Sequence, residues 1–206
     1  MLKLVVATHN AGKLRELSRL CAPLAELISQ TELNIAEIEE TGLTFVENAL
    51  LKARHAARFS GLPALADDSG LVIPALNGEP GLYSARYAGH NAPPEARIQK
   101  VLDRFTETGV TDRKAFFYTI LVLLKTPDDP APLIGEGRWW GEILTEPRGT
   151  HGFGYDPIFW VPTHHCSAAE LLPEVKNTIS HRARAFHSMA LWLSNTHDQY
   201  DPPHAS

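Results

Sequence analysis

The sequence predicts an α/β fold, and three observations carry that expectation. Lys3 to Ala7 is a short apolar run that ends in the polar turn Thr8-His9-Asn10, and a helical repeat follows it directly. Strand, short polar turn and helix is how an α/β unit begins. Ala115 to Lys125 and Leu133 to Leu144 read as a long pair of strands, joined by the exposed loop Thr126-Pro127-Asp128-Asp129-Pro130. Three further stretches place apolar residues at helical spacing between or after these strands.

In the first helix, Leu14, Leu17, Leu20 and Cys21 line one side, and Lys13, Arg15, Glu16 and Arg19 surround it. An acidic connector, Glu32 to Glu40, leads to a second helix from about Thr44 to Phe59. Thr44 followed three residues later by Glu47 is a capping box. Its buried side is Phe45, Val46, Ala49, Leu50, Ala53 and Ala57. Strands are expected near Pro63 to Asp67 and Leu71 to Leu76, then a loop over Asn77-Gly78-Glu79-Pro80-Gly81. Pro93-Pro94-Glu95 opens a third helix with Ile98, Val101, Leu102 and Phe105 on its apolar face. The last helix starts near Ser180 and buries Ala183, Phe186, Met189, Ala190 and Leu193.

The 206 residues are 44% hydrophobic and 21% charged, enough to bury the core of one domain. That domain is expected to span 1–196, with a disordered tail from 197 to 206. A net charge of -5 argues against a non-specific nucleic-acid coat, while leaving room for a small anionic substrate where cations gather locally. Cys21 and Cys166 have no metal or redox spacing, which fits a reducing cytoplasm. The apolar N-terminus is too short for a signal peptide, and no run reaches membrane-spanning length. The expectation is a soluble, cytoplasmic protein.

Five groups of residues point to chemistry. Ala66-Asp67-Asp68-Ser69-Gly70 places two carboxylates between apolar runs, at an expected strand end and tight turn. Successive residues of an extended chain face opposite sides, so one carboxylate faces a site while the other braces the turn. Mg2+ takes oxygen ligands, usually one or two carboxylates with phosphates and water; an Asx turn capped by Ser-Gly is the structural alternative. Thr8-His9-Asn10-Ala11-Gly12-Lys13 lies at a helix N-terminus, where free N–H groups and a partial positive charge suit phosphate. Its glycine spacing is not that of a Walker loop, and a simple cap by Asn10 accounts for part of the pattern.

Asn48 and Lys52 share one face of the second helix, though a lysine bordering a buried face ordinarily snorkels to water. Gly152-Phe153-Gly154-Tyr155-Asp156 alternates glycine with aromatic residues, so backbone can approach a flat ligand while a ring stacks on it. Asp156 then accepts hydrogen bonds from a base or ribose; a glycine-rich turn with core aromatics explains the same residues. Ser180-His181-Arg182 puts two basic residues at the positive end of a helix, a local conflict that points to a site, with Lys176-Asn177 just before it. His164-His165-Cys166 lacks the second ligand pair of a metal site, and Trp139-Trp140 reads as strand packing.

Together these motifs resemble the inosine/xanthosine triphosphate pyrophosphatase family, enzymes of non-standard purine nucleotides. The matching pieces are Thr8 to Lys13, Glu40-Thr41-Gly42, Phe45 to Ala49, Lys52-Ala53, Ala66 to Gly70, Pro80-Gly81 with Tyr83 to Arg86, Gly152 to Phe159, and Ser180 to Arg182. The resemblance implies an elongated mixed sheet flanked by helices, two lobes around a central nucleotide cleft, and a homodimer. It implies Mg2+-dependent hydrolysis of dITP, ITP and XTP to the monophosphate and pyrophosphate. By position, Asp68 is the proton acceptor and a metal ligand, and Glu39 the second metal carboxylate, with Glu40 as the alternative. Thr8, His9, Asn10, Ala11, Gly12 and Lys13 hold phosphates, with Lys52 nearby. Ser69, Phe153, Gly154, Tyr155, Asp156, Lys176, His181 and Arg182 bind the nucleotide, and Arg182 reads the 6-oxo base.

The family usually has Gly where His9 and His151 stand in this chain. A preference for other modified nucleotides, or nucleotide binding without turnover in a regulatory protein, are the alternative readings; the Asp67-Asp68 pair argues against the second.

Overall fold

The computed structural model describes residues 2–22 and 24–196, with side chains through residue 190. The expected tail from residue 197 and the burial expected of Leu193 lie outside the described residues. Seven strands form one mixed sheet: β1 (Leu2–Ala7), β2 (Ala25–Ser29), β3 (Ala64–Val72), β4 (Lys114–Leu124), β5 (Leu133–Ile143), β6 (Phe159–Val161) and β7 (Cys166–Ser167). Their spatial order is β2-β1-β3-β4-β5-β6-β7. β1 runs parallel to β2 and β3, and every other pairing is antiparallel. The helices are α1 (Ala11–Cys21), α2 (Phe45–Ser60), α3 (Pro94–Thr108), α4 (Pro173–Ile179) and α5 (His181–Thr196).

Helix α2 begins as its sequence requires. Thr44 Oγ1 accepts from the Glu47 N–H at 3.3 Å, and the Glu47 carboxylate accepts from Thr44 Oγ1 at 2.8 Å. Its buried face is mostly alanine, at 49, 53, 56 and 57, so the helix lies close on Val5, Ala7, Ala64, Ala66, Ile120 and Val122. Across the sheet, Leu17 and Cys21 of α1 and Ala185 and Met189 of α5 pack against Leu4, Val6, Leu65, Leu121 and Leu123. Further along that face, Ile98, Val101 and Phe105 of α3 join Leu71, Ile73, Phe117 and Trp139.

Glycine on β5 brings α5 against the sheet. A Cβ at Gly137 would lie 1.9 Å from the His181 carbonyl oxygen, and one at Gly135 would lie 2.3 Å from that of Ala185. Only a bare backbone lets the helix approach so far.

Three elements depart from expectation. β2 was not anticipated, because its half-exposed five residues have no clear alternation. β3 is one continuous strand through Asp67-Asp68-Ser69-Gly70, so no tight turn follows the acids, and Pro74–Leu76 is a 3-10 turn rather than strand. Ser69-Gly70 looks like a turn in sequence, but β4 pairs with every residue from Ala64 to Val72. Gly70 is needed for approach instead, since a Cβ there would meet the Gly81 carbonyl at 2.3 Å. Finally, a short helix, α4, precedes α5 and carries Lys176. No helix among the described residues is long and apolar enough to cross a membrane.

Candidate active site

The site forms where β1 parts from β3. Their pairing stops at Ala7 opposite Ala66, while β3 continues to Val72. Beyond that point the chain of β1 turns into the Thr8 to Asn10 loop, and the Asp67 carbonyl accepts from Lys52 Nζ at 2.9 Å. A crevice at the carboxyl end of a strand is where open α/β sheets bind ligands.

Strand alternation sends the two carboxylates to opposite faces. Asp68 faces α2, and its Oδ1 lies 2.6 Å from Lys52 Nζ. Asp67 faces α1 and α5: its Oδ1 lies 2.7 Å from Lys13 Nζ and its Oδ2 lies 2.5 Å from Arg182 Nε. Asp67 therefore does not brace a turn, as the sequence had suggested. It is the hub of a buried ion network.

That network alternates in sign across the molecule. Arg86 reaches Glu40 at 3.1 Å, Glu40 reaches Lys52 at 2.8 Å, and Lys52 reaches Asp68. On the other face Lys13 and Arg182 share Asp67, Arg182 Nη1 bonds Glu16, and Glu16 lies 2.9 Å from Lys176. Asp156, 2.5 Å from Lys176, ends the chain. Five cations alternate with five carboxylates, so each buried charge has a partner, as burial demands.

Glu39 and Glu40, the two carboxylates considered for a metal, lie in different surroundings. Glu39 is exposed, whereas Glu40 and Asp68 both reach one ammonium, Lys52 Nζ. Carboxylate oxygens such as these suit a hard divalent cation, which takes only one or two of them when phosphate and water complete its shell. No cluster of three or more His, Cys, Asp or Glu side chains occurs among the described residues, including around His164-His165-Cys166.

The charges set the titration. Burial raises the Asp68 carboxyl above its ordinary range, against the pull of Lys52 and Lys13. Burial also opposes ionisation of Asp67, but Arg182 and Lys13 outweigh it and hold Asp67 well below the usual carboxylate range. Neighbouring carboxylates on one strand are thus driven apart, the pattern by which a protein separates a proton acceptor from a fixed charge.

In the loop between β1 and α1, Asn10 caps α1: its Oδ1 accepts from the N–H groups of Gly12 at 2.9 Å and Lys13 at 3.1 Å. Thr8 Oγ1 accepts from the Asn10 N–H, and Ala11 opens the helix. His9 Nδ1 sits 2.8 Å from Gln30 Nε2 and 2.9 Å from Glu37, tying the loop to the acidic connector. A Cβ at Gly12 would fall 2.6 Å from the Phe153 ring, so glycine lets that ring rest on the helix start. The same ring has Lys176 Nζ at 5.0 Å and the Arg182 guanidinium at 5.8 Å from its centroid.

Several residues expected to touch the nucleotide make contacts within the protein. Arg182 is 1% exposed; its donors go to Asp67, Glu16 and Ser69 Oγ, the last at 2.9 Å. Ser69 Oγ in turn donates to Asp67 at 2.8 Å. Asp156 accepts from Lys176 and from the Phe153 N–H at 2.8 Å. Tyr155 is a core residue whose hydroxyl donates to the Ser84 carbonyl, and Gly154 supplies a left-handed turn at φ 65°. His181 is buried in a stack with Phe117 at 4.9 Å, its Nδ1 without a partner among the described residues. Burial pushes its imidazole well below the ordinary value, helped by Arg182.

Sequence reasoning missed Glu16 and Arg86. Glu16 lies one turn after Lys13, so the shared helical face was the available signal. Arg86 stood in a matching motif without a role.

Known proteins match this chain along most of its length. Residues 4–192 match the Ham1 family. The chain is 54% identical over 195 residues to the dITP/XTP pyrophosphatase of Coxiella burnetii, covering 94% of this chain and 98% of that one. It is 55% identical over 183 residues to the dITP/XTP pyrophosphatase of Pseudomonas aeruginosa, covering 89% and 92%. The solved HAM1 protein of Coxiella burnetii superposes with a TM-score of 0.87 over 95% of this chain and 100% of that one, at 54% identity. The Staphylococcus aureus Ham1 protein, 40% identical, gives 0.80 over 96% and 100%. With matches that run from β1 into α5 and take in the crevice of Asp67 and Asp68, the chain belongs to the Ham1 family.

Proposed function

We propose that this chain hydrolyses the non-standard purine nucleoside triphosphates dITP, ITP and XTP to the monophosphate and pyrophosphate, with Mg2+ as cofactor. The observation that carries the reading is the convergence of Asp68, Glu40 and Lys52 at the crevice, with Lys13 on the adjoining face. Curated relatives at about half identity bear the name dITP/XTP pyrophosphatase, which supports the substrate class.

Attack of water on a phosphorus atom needs a base, charge neutralisation and alignment. Asp68, raised by burial yet held beside Lys52, accepts the proton from water. Glu40 and Asp68 would hold Mg2+, which would supply neutralisation of phosphate charge. Lys13, Lys52 and the Thr8 to Asn10 loop hold the phosphate oxygens. Phe153 and Lys176 meet the base, while Asp156, His181 and Arg182 form the wall behind them. A homodimer belongs to the same proposal, with the exposed Ile134 and Trp140 on the outer face of β5 as its support, and so does a cytoplasmic location.

Calorimetric binding of ITP measured beside product analysis tests the reading. Formation of IMP and pyrophosphate with Mg2+, lost with EDTA, is the expected result. Binding without IMP would overturn hydrolysis, and undiminished turnover in EDTA would overturn the metal.

A further inference from the structure

The connector that carries Glu40 is held by side chains. From residue 36 to 42 it forms neither helix nor strand, and among the described residues it makes no backbone–backbone hydrogen bond. His55 Nε2 donates to the Ala36 carbonyl at 2.9 Å, Asn48 Oδ1 accepts from the Gly42 N–H at 2.8 Å, and Lys52 and Arg86 meet Glu40. All of these but Arg86 belong to α2. One contact goes elsewhere. A carboxylate oxygen of Glu37, a short step before Glu40, lies 2.9 Å from Nδ1 of His9, in the loop between β1 and α1.

That ring nitrogen has two claimants, because Gln30 Nε2, just past β2, lies 2.8 Å from it. An Nδ1 without a proton accepts from the Gln30 amide, whereas Nδ1–H donates to Glu37, so the state of the ring selects between them. Glu37 is the only charged side chain that meets the ring among the described residues. Gln30 is neutral, and Lys13, farther along the loop, is paired with Asp67. The His9 and Glu37 side chains are 30% and 71% exposed, and so open a pair contributes little to folding. The contact is therefore free to break and re-form while the fold stays intact.

We infer that His9 and Glu37 form a latch that draws the connector onto the phosphate loop when a polyphosphate arrives, so that His9 is a positioning residue acting through Glu37 on Glu40. The inference rests on the proposed function, which puts phosphates in the Thr8 to Lys13 loop. A polyanion there favours the imidazolium form of a neighbouring histidine. Imidazolium has no lone pair for Gln30 and gives its Nδ1–H to Glu37. Substrate arrival then tightens the one tie between the loop and the connector, and Glu40 is carried with it.

Binding of inorganic tripolyphosphate with Mg2+ tests the latch, by calorimetry at about pH 6.5 and about pH 8.5, on either side of the range in which histidine changes charge. Amide hydrogen exchange over residues 36–42 is followed beside it. His9→Ala and Glu37→Gln are each expected to weaken tripolyphosphate about fivefold, or ~1 kcal/mol, at the lower pH and not at the higher. The double variant should lose no more than either single one, since both remove the same contact. Tripolyphosphate should slow exchange over 36–42 in the wild type at the lower pH and leave it unchanged in the variants. Full affinity in Glu37→Gln beside a weakened His9→Ala would overturn the latch, because His9 would then touch phosphate itself. So would an equal loss at both pH values, which marks a structural role, or full affinity in both variants. If His9→Ala fails to fold, Glu37→Gln carries the same comparison of affinity and exchange. None of these readouts depends on turnover. A wild type that closes on tripolyphosphate and leaves ITP intact would refute the proposed reaction and keep the latch, whereas binding without slower exchange over 36–42 would refute the latch alone.

Discussion

Replacing Gly137 by Ala adds one methyl group to a strand far from the phosphate crevice, and the structure predicts that it damages the site. In an open strand the change would stabilise by about 0.4–1 kcal/mol through the unfolded chain. Here the new Cβ would lie 1.9 Å from the His181 carbonyl oxygen and 2.8 Å from the Ala185 nitrogen, both helix backbone. Ordinary contact requires the start of α5 to retreat by about 1.5 Å. Arg182 rides on that first turn, and its 2.5 Å and 2.9 Å contacts to Asp67 and Ser69 would stretch beyond hydrogen-bonding range. Overpacking costs about 1–3 kcal/mol, and loosening a buried ion pair adds to it. A loss of about 3 kcal/mol lowers Tm by roughly 6–12 °C for a chain of this size. Scanning calorimetry and kcat/KM for ITP together read the effect, and both should fall. A variant as stable and active as wild type would refute the argument that glycine on β5 sets the place of Arg182.

Other perturbations probe single links. Asp68→Asn should leave the fold intact and lower kcat by about 10²–10⁴, the range of general-base catalysis. In the wild type the rate should fall with acid as Asp68 protonates, at a pH above the ordinary carboxylate range because burial raises the group; a flat acid limb measured by pyrophosphate release would remove Asp68 from this role. Asp67→Asn should cost about 3–5 kcal/mol in urea unfolding at pH 7, by leaving Arg182 and Lys13 short of a partner. Since its folded pKa is depressed, its contribution is complete above the unfolded value of about 3.9 and vanishes only as pH falls through the lower folded value. His181 is held neutral, so the unfolded chain binds the proton first. Stability should therefore decline below about pH 6.5, by up to ~1.4 kcal/mol per pH unit, and His181→Phe should remove that component of the slope.

The opening unit, the capping box of α2 and the long hairpin strands were legible because each is written in local chemistry. The reading of Ala66 to Gly70 failed for an instructive reason. Ser-Gly after two acids has the composition of a turn, but nine consecutive ladder pairs to β4 outweigh a local preference. Its alternation still held, and it is what splits Asp67 from Asp68. Long-range ion pairs were the least legible part. Glu16 and Arg182 are 166 positions apart, and only the packing of α5 against α1 brings them together. Glu39 and Glu40 are equivalent in sequence. The path of the connector, which turns Glu40 toward Lys52 and Arg86, distinguishes them.

Cleavage of 6-oxo purine triphosphates at the crevice of Asp68, Glu40 and Lys52 has a direct readout in its products. Product analysis of the purified wild type with Mg2+ and, in parallel, ITP, dITP, XTP, ATP and GTP tests it most directly. Monophosphate and pyrophosphate are expected from ITP, dITP and XTP, at a kcat/KM well above that for ATP. Release of orthophosphate instead, or equal rates for ITP and ATP, would contradict it.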